Sequence, residues 1–160
     1  MKEFNIVSAI REWKFEEMDD EDKHLIEAAK EASGNSYSPY SKFAVGAAVK
    51  LANGKVLSGC NQENAAYPSG LCAERTTLFY ANANYPNTPV NVLAIAAHTE
   101  NGFSEEPVPP CGACRQVILE TEKRFNQPIR ILLYGSKRVY DIKGIGELLP
   151  LSFDKTNMNQ

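Results

Sequence analysis

The chain has 160 residues, 43 % of them hydrophobic and 23 % charged, with a net charge of −3. That length fits one domain that buries roughly 68–70 % of its unfolded surface. The charge balance is poor for nucleic-acid binding, which draws on clustered Lys and Arg to neutralise phosphates, and no cationic block occurs here. No apolar run approaches the ~20 residues that cross a bilayer, so no membrane association is expected. The N-terminus lacks the apolar region of a secretory signal, which points to a cytoplasmic chain.

Residues 1–17 mix charged and aromatic side chains without a clear period and are expected to form an extension or a short pre-helix. Asp19 to Asp22 supply helix-start acids. Leu25, Ala28, Ala29 and Ala32 follow at helical spacing, and Gly34-Asn35 closes the helix. Ser36 to Ser41 is expected to be a loop. Phe43–Leu51 and Val56–Asn61 read as strands joined across Asn53-Gly54, a hairpin signal. Leu71–Ala83 is predicted helical, with Leu78 and Phe79 in the core. Val90–Ala97 is a compact apolar strand, Asn101–Pro110 a loop, Gly112–Phe125 a helix and Ile129–Tyr134 a strand. Val139, Ile142 and Ile145 belong to a less regular tail ending near Leu149-Pro150. The order helix, hairpin, helix, strand, helix, strand predicts an α/β fold, a three-layer α/β/α sandwich around a mixed sheet. The expected division is an extension at 1–17, a single catalytic domain at 18–155 and a tail at 156–160.

Two short segments carry the chemistry: Cys72-Ala73-Glu74-Arg75 and Pro110-Cys111-Gly112-Ala113-Cys114-Arg115. Each opens a predicted helix. Cys111 and Cys114 are three apart and share a face of the first turn, and Cys72 meets them if the two helix starts converge. Three thiolates leave the fourth position of tetrahedral zinc open, as catalysis requires and a closed structural site does not. Zinc with three thiolates carries one net negative charge, which weakens its power to acidify water. Two helix N-termini, each worth roughly half a positive charge, offset this and favour thiolates. Arg75 is expected to drain further charge from the sulfurs. Glu74, two residues past Cys72, stands where a carboxylate can move protons between water, a ring nitrogen and a departing amine.

Taken alone, Cys111-x-x-Cys114 is also consistent with a redox pair or half of a structural zinc site. Glu74 alone is an ordinary first-turn acid, and Arg75 alone an ordinary surface residue. Cys60 reads as a small buried thiol; as a fourth ligand it would close the metal. His24 and His98 read as polar or capping residues.

The Cys-x-Glu and Pro-Cys-x-x-Cys pairing follows the pattern of zinc deaminases. With Ser38-Pro39-Tyr40-Ser41-Lys42-Phe43-Ala44-Val45-Gly46 and Gly59-Cys60-Asn61-Gln62-Glu63-Asn64-Ala65-Ala66-Tyr67, the chain resembles the small cytidine deaminases that take all three zinc ligands from cysteine. The resemblance implies a nucleoside substrate, cytidine or 2′-deoxycytidine, hydrolysed to uridine or 2′-deoxyuridine with loss of ammonia, in pyrimidine salvage. It implies one zinc held by Cys72, Cys111 and Cys114, with Glu74 as the proton carrier. It assigns Asn61 and Glu63 to the ribose hydroxyls, Phe43 to packing on the nucleoside, and the Ala73 backbone to the pyrimidine edge. It further implies a homotetramer with shared active sites, in which Ala65, Tyr67 and Phe153 reach neighbouring subunits. Core positions for Phe43, Tyr67 and Phe153 are the plainer alternative. Other functional readings are deamination of a modified nucleoside, as in the blasticidin-type antibiotic deaminases, nucleic-acid editing, and a structural zinc module. Two stretches depart from the family pattern: residues 1–17 find no counterpart, and the Asn101–Pro110 loop is longer than usual.

Overall fold

A computed structural model describes residues 1–158; positions 159 and 160, the end of the expected tail, lie outside the described residues. The elements in order are β1 (Arg11–Trp13), α1 (Asp20–Ser33), β2 (Ala44–Leu51), β3 (Val56–Cys60), α2 (Ala73–Asn84), β4 (Val90–Thr99), β5 (Gly102–Phe103), α3 (Gly112–Phe125), β6 (Arg130–Tyr134), β7 (Val139–Ile142) and α4 (Lys155–Met158). The sheet runs β1-β7-β6-β4-β2-β3, with β5 paired to β4. The β4–β6 pair is parallel, bridged by α3, and the other pairs are antiparallel. The sheet is therefore mixed.

Strand alternation divides the core into two layers, because successive side chains point to opposite faces. Ala48, Ala94, Ala96 and Leu132 pack under Leu25, Ile26 and Ala29 of α1. Ala47, Val49, Leu93, Ile95, Ile131 and Leu133 meet Leu78 and Ala81 of α2 and Ile118 and Leu119 of α3. Helices thus cover both faces, giving the expected three-layer sandwich. Gly46 lets α1 lie this close: a Cβ there would stand 1.9 Å from the Ala29 carbonyl oxygen. The Asp19 carboxylate caps α1 by accepting from the Asp22 amide at 2.8 Å.

Several elements differ from the sequence-based expectation. Residues 11–13 form an edge strand rather than part of a pre-helix, followed by a single 3₁₀ turn at Phe15–Glu17. The 101–110 loop contains the short β5, and the tail contains β7. Phe79 is 47 % exposed while Leu78 is fully buried. One residue of helix rotates the side chain by about 100°, and α2 presents Leu78, not Phe79, to the sheet.

Candidate metal centre and active site

Both helix starts expected at the site are formed. Cys72 is the N-cap of α2 and Cys111 the N-cap of α3, each in extended backbone conformation and neither using its side chain as a cap. Glu74 and Cys114 lie in the first turns. Four amide N–H groups at each helix start lack intrahelical partners, so both ends favour negative charge at this point.

The three sulfurs converge. Cys72 Sγ lies 3.7 Å from Cys111 Sγ, and Cys111 Sγ lies 3.5 Å from Cys114 Sγ. All three ligand atoms fall within 4.8 Å of one another. These separations exceed the ~2.05 Å of a disulfide. They match the ~3.8 Å edge of a tetrahedron with metal–sulfur bonds of ~2.3 Å, so the donor set fits zinc. Cys60 and both histidines stay outside this group among the described residues. Cys60 is buried and accepts from Gln62 Nε2 at 3.3 Å. The cluster therefore has three protein donors, not four.

The sulfurs titrate unequally. A hydrogen bond from Cys114 outweighs the opposing effect of burial and, helped by Arg75 and Cys111, holds the Cys72 thiol down at about 5. Cys114, donating that bond and itself buried, is pushed up. Sulfurs this close together favour a bound positive charge between them, as a metal cation would supply. Arg75 Nη2 stands 3.8 Å from Cys72 Sγ and 3.4 Å from the Gly70 carbonyl oxygen.

Glu74 is 4 % exposed. Burial raises its carboxyl above the ordinary glutamate value, and the Cys72 charge adds to this against its own backbone amide, Cys114 and Arg75. It lines a pocket of ≈ 270 Å³ with Phe43, Asn61, Glu63, Cys72 and Cys111, and Ser41, Val45, Ile95, Val108 and Pro109 complete the wall. A larger cleft of ≈ 540 Å³ adjoins it, sharing Ser41, Asn61, Glu63 and Cys72 and extending to Tyr40, Tyr67 and Arg75. Glu74, Cys72 and Cys111 meet in the smaller one.

The 61–63 segment is held rigidly. Asn61 Oδ1 accepts from the Val45 amide at 2.9 Å and Ser36 Oγ at 2.5 Å, while Nδ2 donates to the Phe43 carbonyl at 2.9 Å. One Asn61 amide hydrogen is left for another partner. Glu63 Oε2 accepts from the Tyr40 and Ser41 amides at 2.9 and 3.2 Å. The Ser41 hydroxyl and these amides hold the Glu63 carboxyl below its usual value. Phe43 is half-buried in the pocket wall, not in the core.

The remaining expected residues take different positions within one chain, some at the site and some away from it. Ala73 is buried in the first turn of α2, between Cys72 and Glu74. Tyr67 is 75 % exposed and lines the larger cleft, edge-on to Tyr40 at 6.0 Å. Ala65 and Phe153 line neither cavity, and Phe153 is 61 % exposed. Sequence reasoning missed Ile95, Val108 and Pro109. Nothing local distinguishes Ile95 from the other apolar residues of β4, and the other two occupy a loop whose path depends on tertiary contacts.

A family model described as the cytidine and deoxycytidylate deaminase zinc-binding region matches residues 19–126, well over half of the chain. The chain belongs to this deaminase family. A cytidine deaminase of Sporosarcina psychrophila is 40 % identical over 135 residues, spanning 84 % of this chain and 93 % of that one. A cytidine deaminase of Halalkalibacterium halodurans is 42 % identical over 137 residues, with 84 % and 96 % covered. The crystal structure of the Burkholderia pseudomallei cytidine deaminase superposes with a TM-score of 0.70 at 42 % identity, covering 81 % of this chain and 97 % of that one. The deaminase match begins just before α1, leaving residues 1–18 outside it. It spans all three clustered cysteines and Glu74.

Proposed function

We infer that the chain is a zinc-dependent hydrolytic deaminase that converts cytidine and 2′-deoxycytidine to uridine and 2′-deoxyuridine with release of ammonia. The observation that carries this reading is the buried Glu74 side chain lining one pocket with Phe43, Asn61, Glu63 and two members of the three-sulfur cluster, Cys72 and Cys111. Cys72, Cys111 and Cys114 hold the zinc, which supplies the Lewis acidity that makes water nucleophilic near neutral pH. The likeness to proteins named cytidine deaminase supports the choice of nucleoside.

Glu74 takes the proton released as water adds to C4 of cytosine and delivers it to N3. It then carries a second proton to the amino group, which leaves as ammonia while the C4 carbonyl forms. Its raised proton affinity suits a group that must hold and pass a proton. The base lies against Phe43 and Ile95, and the Ala73 backbone meets its edge. Glu63 keeps one oxygen free and Asn61 one N–H; together they hold the ribose, principally its 3′-hydroxyl, so the 2′-deoxy substrate is accepted. Arg75 lowers the charge on the cluster.

Residues 18–155 act as one catalytic domain, and four chains associate with shared active sites. The open cleft with Tyr67 exposed in its wall, and the exposed Leu151 and Phe153 near the C-terminus, support that association. Four free cysteines, three of them close together, suit a reducing cytoplasm and a role in pyrimidine salvage. The test is Glu74→Gln: zinc content stays as in the wild type and cytidine turnover falls by about 10²–10⁴. A zinc-loaded Gln variant with full turnover would overturn the assignment.

A further inference from the structure

The N-terminal extension and the loop after β5 converge on one turn of the sheet. The loop after β5 carries Val108 and Pro109, which wall the pocket, directly before Cys111. With Pro107, Pro109 and Pro110 it has few amides to anchor itself. Beyond the Ser104 amide, which donates to the Ala97 carbonyl of β4 at 2.9 Å, its hold is on the turn between β6 and β7. The Ser136 amide donates to the Ser104 carbonyl at 2.9 Å and the Lys137 amide to the Glu105 carbonyl at 3.1 Å. The loop backbone lies so close to Gly135 that a Cβ there would stand 2.6 Å from the Glu105 oxygen and 2.7 Å from Pro107 N.

The N-terminal extension grips the same turn from the other side. Phe15 meets Tyr134 edge-on at 5.7 Å, and Tyr134 meets Phe103 edge-on at 5.7 Å. The Lys30 ammonium sits 5.7, 5.1 and 4.9 Å from the Phe15, Phe103 and Tyr134 ring centres. Arg138 Nη1 donates to Glu12 at 3.1 Å, and its Nε lies 3.1 Å from a Glu106 oxygen. That second contact is an ion pair without hydrogen-bond geometry, so Nε has no acceptor. The 134–138 turn is thus held between the extension and the loop. The aromatic cluster is its half-buried part, and the Arg138 pairs are exposed and weak.

We propose that Phe15 of the extension is a positioning residue for the deaminase reaction: through Tyr134 and Phe103 it fixes the 104–109 loop and so the Val108–Pro109 wall of the substrate pocket, with the Glu12–Arg138–Glu106 pairs adding little. The effect on substrate rests on the deaminase reading; the effect on the loop does not.

The experiment compares full-length Phe15→Ala, Phe15→Leu and Arg138→Ala with the wild type by amide hydrogen exchange and cytidine kinetics. In Phe15→Ala, the Ser104, Ser136 and Lys137 amides exchange about tenfold faster while those of α1 and β2 keep their rates. KM for cytidine rises ~3–10-fold, with kcat within about twofold and zinc content unchanged. Phe15→Leu keeps bulk without a ring and falls between; Arg138→Ala shifts exchange by about twofold or less. Unaltered exchange at 104, 136 and 137, an equal rise across α1 and β2, or a loosened loop with unchanged KM would each overturn the proposal. If the wild type does not turn over cytidine, the functional reading fails, and the exchange rates still decide whether the extension holds the loop.

Discussion

Asp141→Asn removes the charge at the centre of the most buried ionic group in the protein. The Asp141 side chain is 0 % exposed and accepts from Arg130 Nε at 2.9 Å, Arg130 Nη2 at 3.1 Å and Trp13 Nε1 at 3.2 Å, with Arg11 Nη2 at 2.7 Å. An amide keeps the shape, but its NH₂ faces donors, and Arg130 loses one of two counterions. Stripping one partner from a buried pair costs about 3–5 kcal/mol. Arg130 retains Asp22 at 2.6 Å and Arg11 is about half exposed, so the lower end, ~3 kcal/mol, applies here. At ~2–4 °C per kcal/mol for a chain of this size, Tm falls by about 6–12 °C at pH 7. Burial pushes the Asp141 carboxyl up, but Arg130, Arg11 and Trp13 together outweigh it and hold it below its ordinary value. A depressed folded pKa stabilises fully above the unfolded value of ~3.9 and is lost as pH falls through the folded value. Asp22, raised chiefly by burial, responds in the opposite sense and is present in both proteins. Scanning calorimetry and urea unfolding at pH 7 and near pH 3 check this: the gap between wild type and variant narrows in acid. A Tm within about 2 °C of the wild type at pH 7, or a gap that stays constant in acid, would refute the reasoning.

Arg75→Ala is expected to weaken zinc retention by ~10–100-fold, the usual cost of losing a group that supports metal ligands, measured by competition with a chromophoric chelator. Gly46→Ala drives a methyl into the Ala29 carbonyl and the Ser33 amide of α1, at 1.9 and 2.6 Å, and is expected to abolish soluble folded protein or lower Tm by at least about 5 °C. Circular dichroism melting reads that outcome directly.

The metal site was legible because its signals are local. Cys72 and the Cys111/Cys114 pair each sit at a helix start, and spacing within one turn fixes which side chains share a face. The Asp19 cap and the Leu25–Ala29 stripe revealed α1 for the same reason. β7 was hidden because Asp141 puts a charge into an apolar strand, and its main partner, Arg130, is 11 residues away on β6. β1 was hidden because all three of its residues are exposed and no alternation marks it. Phe79 misled because hydrophobicity does not report which way a helix is turned. Val108 and Pro109 reach the pocket at the end of a loop whose Ser104, Glu105 and Pro107 backbone rests on Gly135, Ser136 and Lys137, a relation between distant segments that composition does not carry.

The most direct test measures zinc by plasma mass spectrometry alongside the ultraviolet loss of cytidine, before and after treatment with a chelator. One zinc per chain is expected, lost together with turnover on chelation and restored with it when zinc is returned; Cys72→Ala, Cys111→Ala and Cys114→Ala each lower both. Undiminished cytidine turnover by metal-free protein would contradict the account.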